Sequence, residues 1–186
     1  MPETRPPLDI DRASFDDIAA MLEAGTAPPV DKWDPPSCGD SDMRIARDGR
    51  WYHQGGLITR PAMVRLFFSV LRREPDDGYV LVTPVEKLAI AVDHLPFLAT
   101  RMRREGDGRD RRLAFTLNTD EIVIAGADHP IRIVETQAGP SPRLLVRGRL
   151  EAEIARPLYY APAEITLEDG RDPPAIWSDG ERFPLS

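Results

Sequence analysis

A single cysteine, Cys38, excludes an intramolecular disulfide and any cysteine-based zinc cluster, and it suits a reducing compartment. No stretch approaches the ~18 consecutive apolar residues that a membrane-spanning helix needs. The opening MPETRPPLDIDR lacks the apolar core of a signal peptide. These absences predict a soluble, cytoplasmic protein without a membrane partner. Positive charge is in deficit, 24 Lys and Arg against 31 Asp and Glu, for a net charge of -7. That balance argues against bulk nucleic-acid binding, which needs a net or strongly local positive field to neutralise phosphates. Histidine is scarce too: His53, His94 and His129 form no HxxxH or HxH pair, so no metal site is expected. A nucleophile elbow, a phosphate-binding glycine loop and a dinucleotide fingerprint are all missing, and no cofactor is expected.

What the chain has in quantity is proline. Nineteen prolines are about twice the average share of roughly 5%. They punctuate many short elements and favour strands and loops over a helical bundle, while 41% hydrophobic residues suffice to fill a core. Residues 1–30 read as an arm plus a helix, with Ser14 as cap, Phe15, Ile18, Ala19 and Leu22 at helical spacing and Gly25 as the stop. In the Pro-rich connector that follows, Trp33 is placed to pin an extended segment onto the core. Met43 to Arg47 and Arg50 to Gln54 flank Asp48-Gly49 as a hairpin with a two-residue turn. Thr59 caps a helix that runs up to Pro75, with Pro61 in its first turn and a stripe of Met63, Leu66, Phe67, Val70 and Leu71. Tyr79 to Thr83 is a mostly apolar strand, and Glu86 to Val92 another.

The arginine-rich span 101–112 reads as a solvated loop or connector. Beyond it lie strands at Leu113 to Leu117, Ile122 to Ala125 and Ile131 to Glu135, then a loop at QAGPSP. Strands around Gly148, a short helix from Pro157 and a terminal pair around Asp179-Gly180 complete the chain. Ile58-Thr59-Arg60-Pro61 is echoed by Ile154-Ala155-Arg156-Pro157, each after a strand pair with a tight glycine turn. The expected architecture is α+β: two related small domains, 31–100 and 101–186, each with a duplicated strand-turn-strand-helix-strand core.

A set of residues carries a family resemblance. It runs through Cys38-Gly39, Met43-Arg44-Ile45, Trp51, Gly55-Gly56-Leu57-Ile58, Arg60 and Thr83-Pro84-Val85-Glu86-Lys87. It continues in Ala127-Asp128-His129-Pro130, Val146-Arg147-Gly148, Ala155 to Tyr160 and Trp177-Ser178-Asp179-Gly180. The chain resembles, from about Phe15 onward, the bacterial family of unknown function called DUF1285. The resemblance implies two related α+β domains, the second superficially like a pleckstrin-homology barrel, with a groove between them as a ligand or partner site. It transfers no catalytic residues, and signal transduction is implied only by fold-level analogy.

Arg60 and Arg156 each stand beside a proline at an expected helix start, where the helix dipole already disfavours a cation. They read either as anion ligands or as braces for a loop. Glu86 and Lys87 follow a strand broken by Pro84 and read either as ligand groups or as an ion pair fixing the corner. Trp51 and Trp177 adjoin Asp-Gly turns, for display or for core filling. His94 and His129 fit turn chemistry. Asp40-Ser41-Asp42 opens like a calcium loop, but Ile45 takes the glycine position and no glutamate stands at the twelfth. The preferred reading is a binding module whose groove, lined by Arg60, Glu86, Lys87, Arg156, Tyr159, Tyr160 and Trp51, takes a small anionic ligand or a peptide or protein. The alternative is a hydrolase or transferase on a phosphate-bearing substrate, with Glu86 as general base.

Overall fold

The computed structural model describes residues 24–25, 27–158 and 175–185; the side chain of Cys38 is outside the description. The expected helix over 14–24 lies outside the described residues except at its end, where 24–25 form a turn. The chain divides into two compact units, Met1–Ala46 with Arg50–Asp93, and Arg47–Gly49 with His94–Ser186.

Among the described residues the first unit is one six-stranded sheet with one α-helix and a short 3-10 helix at Val30–Lys32. Its strands are β1 (Ser37–Ile45), β2 (Trp51–His53), β3 (Gly56–Leu57), β4 (Leu71–Arg73), β5 (Tyr79–Val82) and β6 (Lys87–Val92), and α1 spans Pro61–Ser69. The sheet order is β3-β2-β1-β6-β5-β4, with β1 and β6 parallel at the centre and every other pair antiparallel. The expected hairpin forms, but with a three-residue loop. Ala46 N–H bonds Arg50 O, leaving Arg47, Asp48 and Gly49 in the turn, and only Gly49 adopts a left-handed φ of 81°. The left-handed glycine after two ordinary turn residues is what a three-residue loop requires.

The helix ends earlier than helical spacing predicts. Val70 and Leu71 are both fully buried, and Leu71 pairs with Leu81 as part of β4, so the sheet claims residues that also fit the helix stripe. The buried stripe is corrected accordingly: Phe68 packs edge-on against Trp51 at 4.9 Å and is 3% exposed, while Met63 is 37% exposed. Trp33, 4% exposed, pins the connector as expected, and the Arg72 guanidinium donates to the carbonyls of both Val30 and Trp33.

The second unit repeats the sheet size. It holds β7 (Phe97–Glu105), β8 (Arg112–Leu117), β9 (Ile122–Ile124), β10 (Ile131–Thr136), β11 (Gly139–Arg147) and β12 (Leu150–Ile154). The order is β10-β11-β12-β7-β8-β9, again with a central parallel pair, β12 and β7. The arginine-rich span is therefore no loop in its first half: 101–105 is strand. QAGPSP is likewise mostly strand, since Thr136 pairs with Gly139 across a two-residue turn. Phe97, Ala99, Leu113, Phe115, Leu144 and Ala152, all fully buried, fill the inner face.

A terminal hairpin, β13 (Ala175–Ser178) and β14 (Glu181–Pro184), turns at Asp179-Gly180 with φ of 49° and 79°, the two left-handed positions of a type I′ turn. Ser178, fully buried, docks it: its hydroxyl donates to Ala125 O at 2.7 Å and accepts from Leu113 N–H at 2.9 Å.

Counted from the start of each unit, both sheets run third, second, first, sixth, fifth, fourth strand. The Ile-x-Arg-Pro echo does not follow that equivalence. Arg60 lies between the third and fourth strands of its sheet, whereas Arg156 follows the sixth strand of the other, at the start of a helical turn over 156–158.

Candidate functional site

Arg60 is the N-cap of α1. It holds extended backbone, φ -85° and ψ 110°, and makes no capping hydrogen bond. Arginine offers no acceptor for the orphan N–H groups of a first turn. No acidic residue occupies that turn, and Pro61 at its first position has no N–H to leave unsatisfied. The Arg60 side chain is exposed and has no ion-pair partner among the described residues. Arg156 is exposed too, and donates to Ala138 O at 3.2 Å.

The corner at Thr83-Pro84-Val85-Glu86 is fixed by threonine rather than by an ion pair. Thr83 is 3% exposed, and its hydroxyl accepts from the backbone N–H groups of Val85 and Glu86 at 3.4 and 3.2 Å. Glu86 and Lys87 do not pair with each other, because adjacent residues of an extended segment point to opposite sides. Lys87 instead reaches Glu74 at 3.4 Å and Asp34 at 3.9 Å, and Glu74 also accepts from Arg72 Nε at 2.6 Å. Lys87 thereby helps hold the connector to the first sheet. Glu86 is half-buried, with no side-chain partner among the described residues. Trp51 is 1% exposed and stacks on Phe67 at 5.9 Å, a core position. Tyr159 and Tyr160 lie outside the described residues.

The histidines sit in strand-end structure. The two N–H groups of Gly126 and His129 donate to each other's carbonyls, and His129 Nδ1 lies 3.1 Å from Leu145 O. His94 Nε2 is 3.3 Å from a Glu153 carboxylate oxygen. Asp40-Ser41-Asp42 forms a bulge in β1 against β6, with Asp42 at φ 55° and its N–H bonded to Asp40 Oδ1. Among the described residues no group of three or more His, Cys, Asp or Glu could hold a metal ion, and no helix is long and apolar enough to cross a membrane.

One charged cluster was not legible in the sequence. Glu151 on β12, with its side chain 5% exposed, meets Arg132 Nε of β10 at 2.5 Å and Arg143 Nη1 of β11 at 3.5 Å. Burial pushes its carboxyl up, but the Arg132 hydrogen bond and the charges of Arg132 and Arg143 outweigh burial and hold it below the usual glutamate range. Only the strand pairing unites these residues, and no spacing within one segment announces it.

Two compact units, each a six-stranded mixed sheet with a central parallel pair and, among the described residues, little helix, define a sheet-dominated α+β protein. Two family models match it: the N-terminal domain of unknown function DUF1285 over residues 28–95, and the C-terminal domain of the protein of unknown function DUF1285 over 96–185. The chain belongs to the DUF1285 family. It is similar to the crystal structure of a DUF1285 family protein from Silicibacter pomeroyi DSS-3, with 42% identity, a TM-score of 0.76, and 94% of this chain and 95% of that one covered. A DUF1285 family protein from Shewanella baltica OS155 shares the fold at 24% identity and a TM-score of 0.52, over 66% of this chain and 91% of that one. No curated protein matches the chain.

Proposed function

We propose that the protein is a non-enzymatic binding module in which Arg60, on the first unit, and Arg156, on the second, each serve as a contact for an anionic group of a small ligand or a peptide. The observation that carries this is Arg60: an exposed cation without an ion-pair partner among the described residues, in an N-cap position for which its chemistry is unsuited. An anion there would satisfy the guanidinium and the orphan N–H groups of α1 together. Glu86, half-buried and without a side-chain partner among the described residues, is available as an acceptor for a donor group of the ligand. The hydrolase or transferase reading needs a cation within reach of Glu86, and the adjacent Lys87 is already engaged by Glu74 and Asp34. The proposal extends to a duplicated origin of the two units, supported by their common strand order, with the second unit pleckstrin-homology-like and the module serving signalling in the cytoplasm.

Thermal unfolding in a panel of anionic metabolites tests the reading. A ligand at about a hundred times its Kd stabilises by about 2.7 kcal/mol, a shift of several degrees. Arg60→Ala and Arg156→Ala are expected to abolish the shift without lowering the unliganded melting temperature by more than a degree or two. Equal stabilisation of wild type and both variants would sink the assignment.

A further inference from the structure

One strand of the second unit outruns its neighbour. β12 pairs with β7 only at Phe97, Leu98 and Ala99, and β12 ends there at Ile154. β7 continues to Glu105, paired on its other side with β8 from Arg101↔Thr116 to Glu105↔Arg112. Among the described residues nothing pairs with the outer edge of Arg101–Glu105. Arg101, Arg103, Arg104 and Glu105 are exposed and Met102 is half-buried.

Ladder alternation fixes which backbone groups face outward. On β8, Leu113 O accepts from Ala125 N–H and Leu117 N–H donates to Glu121 O, so 113, 115 and 117 face β9. The intervening Arg112, Ala114 and Thr116 face β7 and bond Glu105, Arg103 and Arg101. The N–H and C=O groups of Met102 and Arg104 are left directed at the edge that no described residue pairs. Side chains alternate as well: Arg101, Arg103 and Glu105 on one face of the ribbon, Met102 and Arg104 on the other.

Exposed edges attract strands, and basic side chains decide which. Residues 101–112 carry six arginines and three acids, +3 in a chain whose net charge is -7. A second copy paired antiparallel about Arg103 would set Arg103 against Arg103, which is destabilising, and would offer one acid, Glu105 opposite Arg101, for three arginines. An extended segment with carboxylates opposite Arg101, Arg103 and Arg104, and an apolar residue opposite Met102, matches both the charge and the ladder.

We propose that the open edge of β7 at Arg101–Glu105 accepts an acidic, extended segment of a partner protein as an added strand. The main-chain groups of Met102 and Arg104 make the ladder, and the three arginines select the acidic sequence.

Fluorescence anisotropy of the full-length chain provides the test, with a labelled peptide whose Glu-Glu-Val-Glu core sets carboxylates opposite Arg104, Arg103 and Arg101 and valine opposite Met102 in an antiparallel ladder. Saturable binding is expected, weakened at least about tenfold, or about 1.4 kcal/mol, when alternate backbone nitrogens of the peptide are methylated. The Arg101→Glu/Arg103→Glu double variant is expected to lose as much, and Arg65→Ala, at an exposed arginine of α1, to lose nothing. Met102→Pro deletes an outward N–H while sparing the β8 ladder, and should also weaken binding about tenfold. A melting curve reports whether that variant is folded; if it is not, the methylated peptide decides alone. Unchanged affinity of the methylated peptide, unchanged affinity of the double charge-reversal variant, or no saturable binding below about 1 mM overturns the proposal.

Discussion

Burial alone would make Glu151 a poor place for a charge, yet Arg132 and Arg143 keep its carboxyl ionised below the usual glutamate range. A carboxyl whose folded value is depressed adds stability above its unfolded value, near 4.3, and loses that contribution as pH falls through the lower folded value. Wild type should therefore lose stability on acidification below about pH 4, in part through this group. Glu151→Gln removes the charge but keeps an acceptor, so at pH 7 it should cost about 2 kcal/mol, the worth of a hydrogen bond to a charged group. The same variant should show a flatter acid limb. Urea denaturation from pH 3 to 7 measures both, and an unchanged acid limb would mean that the cluster has no part in the pH response. Arg132, with its side chain 57% exposed, contributes less than the half-covered geometry suggests, because water screens its outer edge.

Two turn glycines separate backbone strain from steric obstruction. Gly180, φ 79°, has open space around the position a Cβ would take, so Gly180→Ala should cost only the left-handed penalty of about 1 kcal/mol. Gly106, φ 72°, would bring a Cβ within 2.9 Å of Asp110 O, a backbone atom that cannot swing aside. Gly106→Ala should cost about 2–3 kcal/mol or more, as strain and obstruction combine. Chemical denaturation ranks the pair, and equal losses would contradict the geometry. The same contrast explains which elements were legible. The Asp179-Gly180 turn is specified by the two residues that form it, and the strands that flank it by their own alternation. β4 was hidden because Val70 and Leu71 continue the spacing of α1, so helix and strand readings agree on burial until Leu81 decides. β7 was hidden because the strand beyond Ala99 has no core face to impose alternation, and its arginines imitate a loop. Gln54-Gly55, at φ 48° and 80°, closes β2 on β3 through the same turn chemistry as Asp179-Gly180, with a less familiar first residue.

For the chain as a whole, the predominance of short strands over helices could be read from proline punctuation and apolar alternation, but the state of each charged residue could not. Lys87 is committed to Glu74 and Asp34, far along the chain, and Glu151 to arginines on two other strands. Pairings of that kind exist only once the sheet order is known. The sheet order in turn predicts how the chain comes apart. In the second unit the fully buried Phe97, Leu113, Phe115, Leu144 and Ile176 all lie within His94–Ser186, and the terminal hairpin is fastened to the same sheet by Ser178. A segment of roughly ninety residues with its own core is above the size at which domains need staples to fold. A fragment spanning 94–186 should therefore unfold cooperatively in urea, with a slope near 1 kcal/mol/M as its size implies, and give well-dispersed amide resonances. A gradual transition with collapsed dispersion would show that the sheet needs the rest of the chain to hold its packing, and that the two units are divisions of one cooperative structure rather than two folding domains.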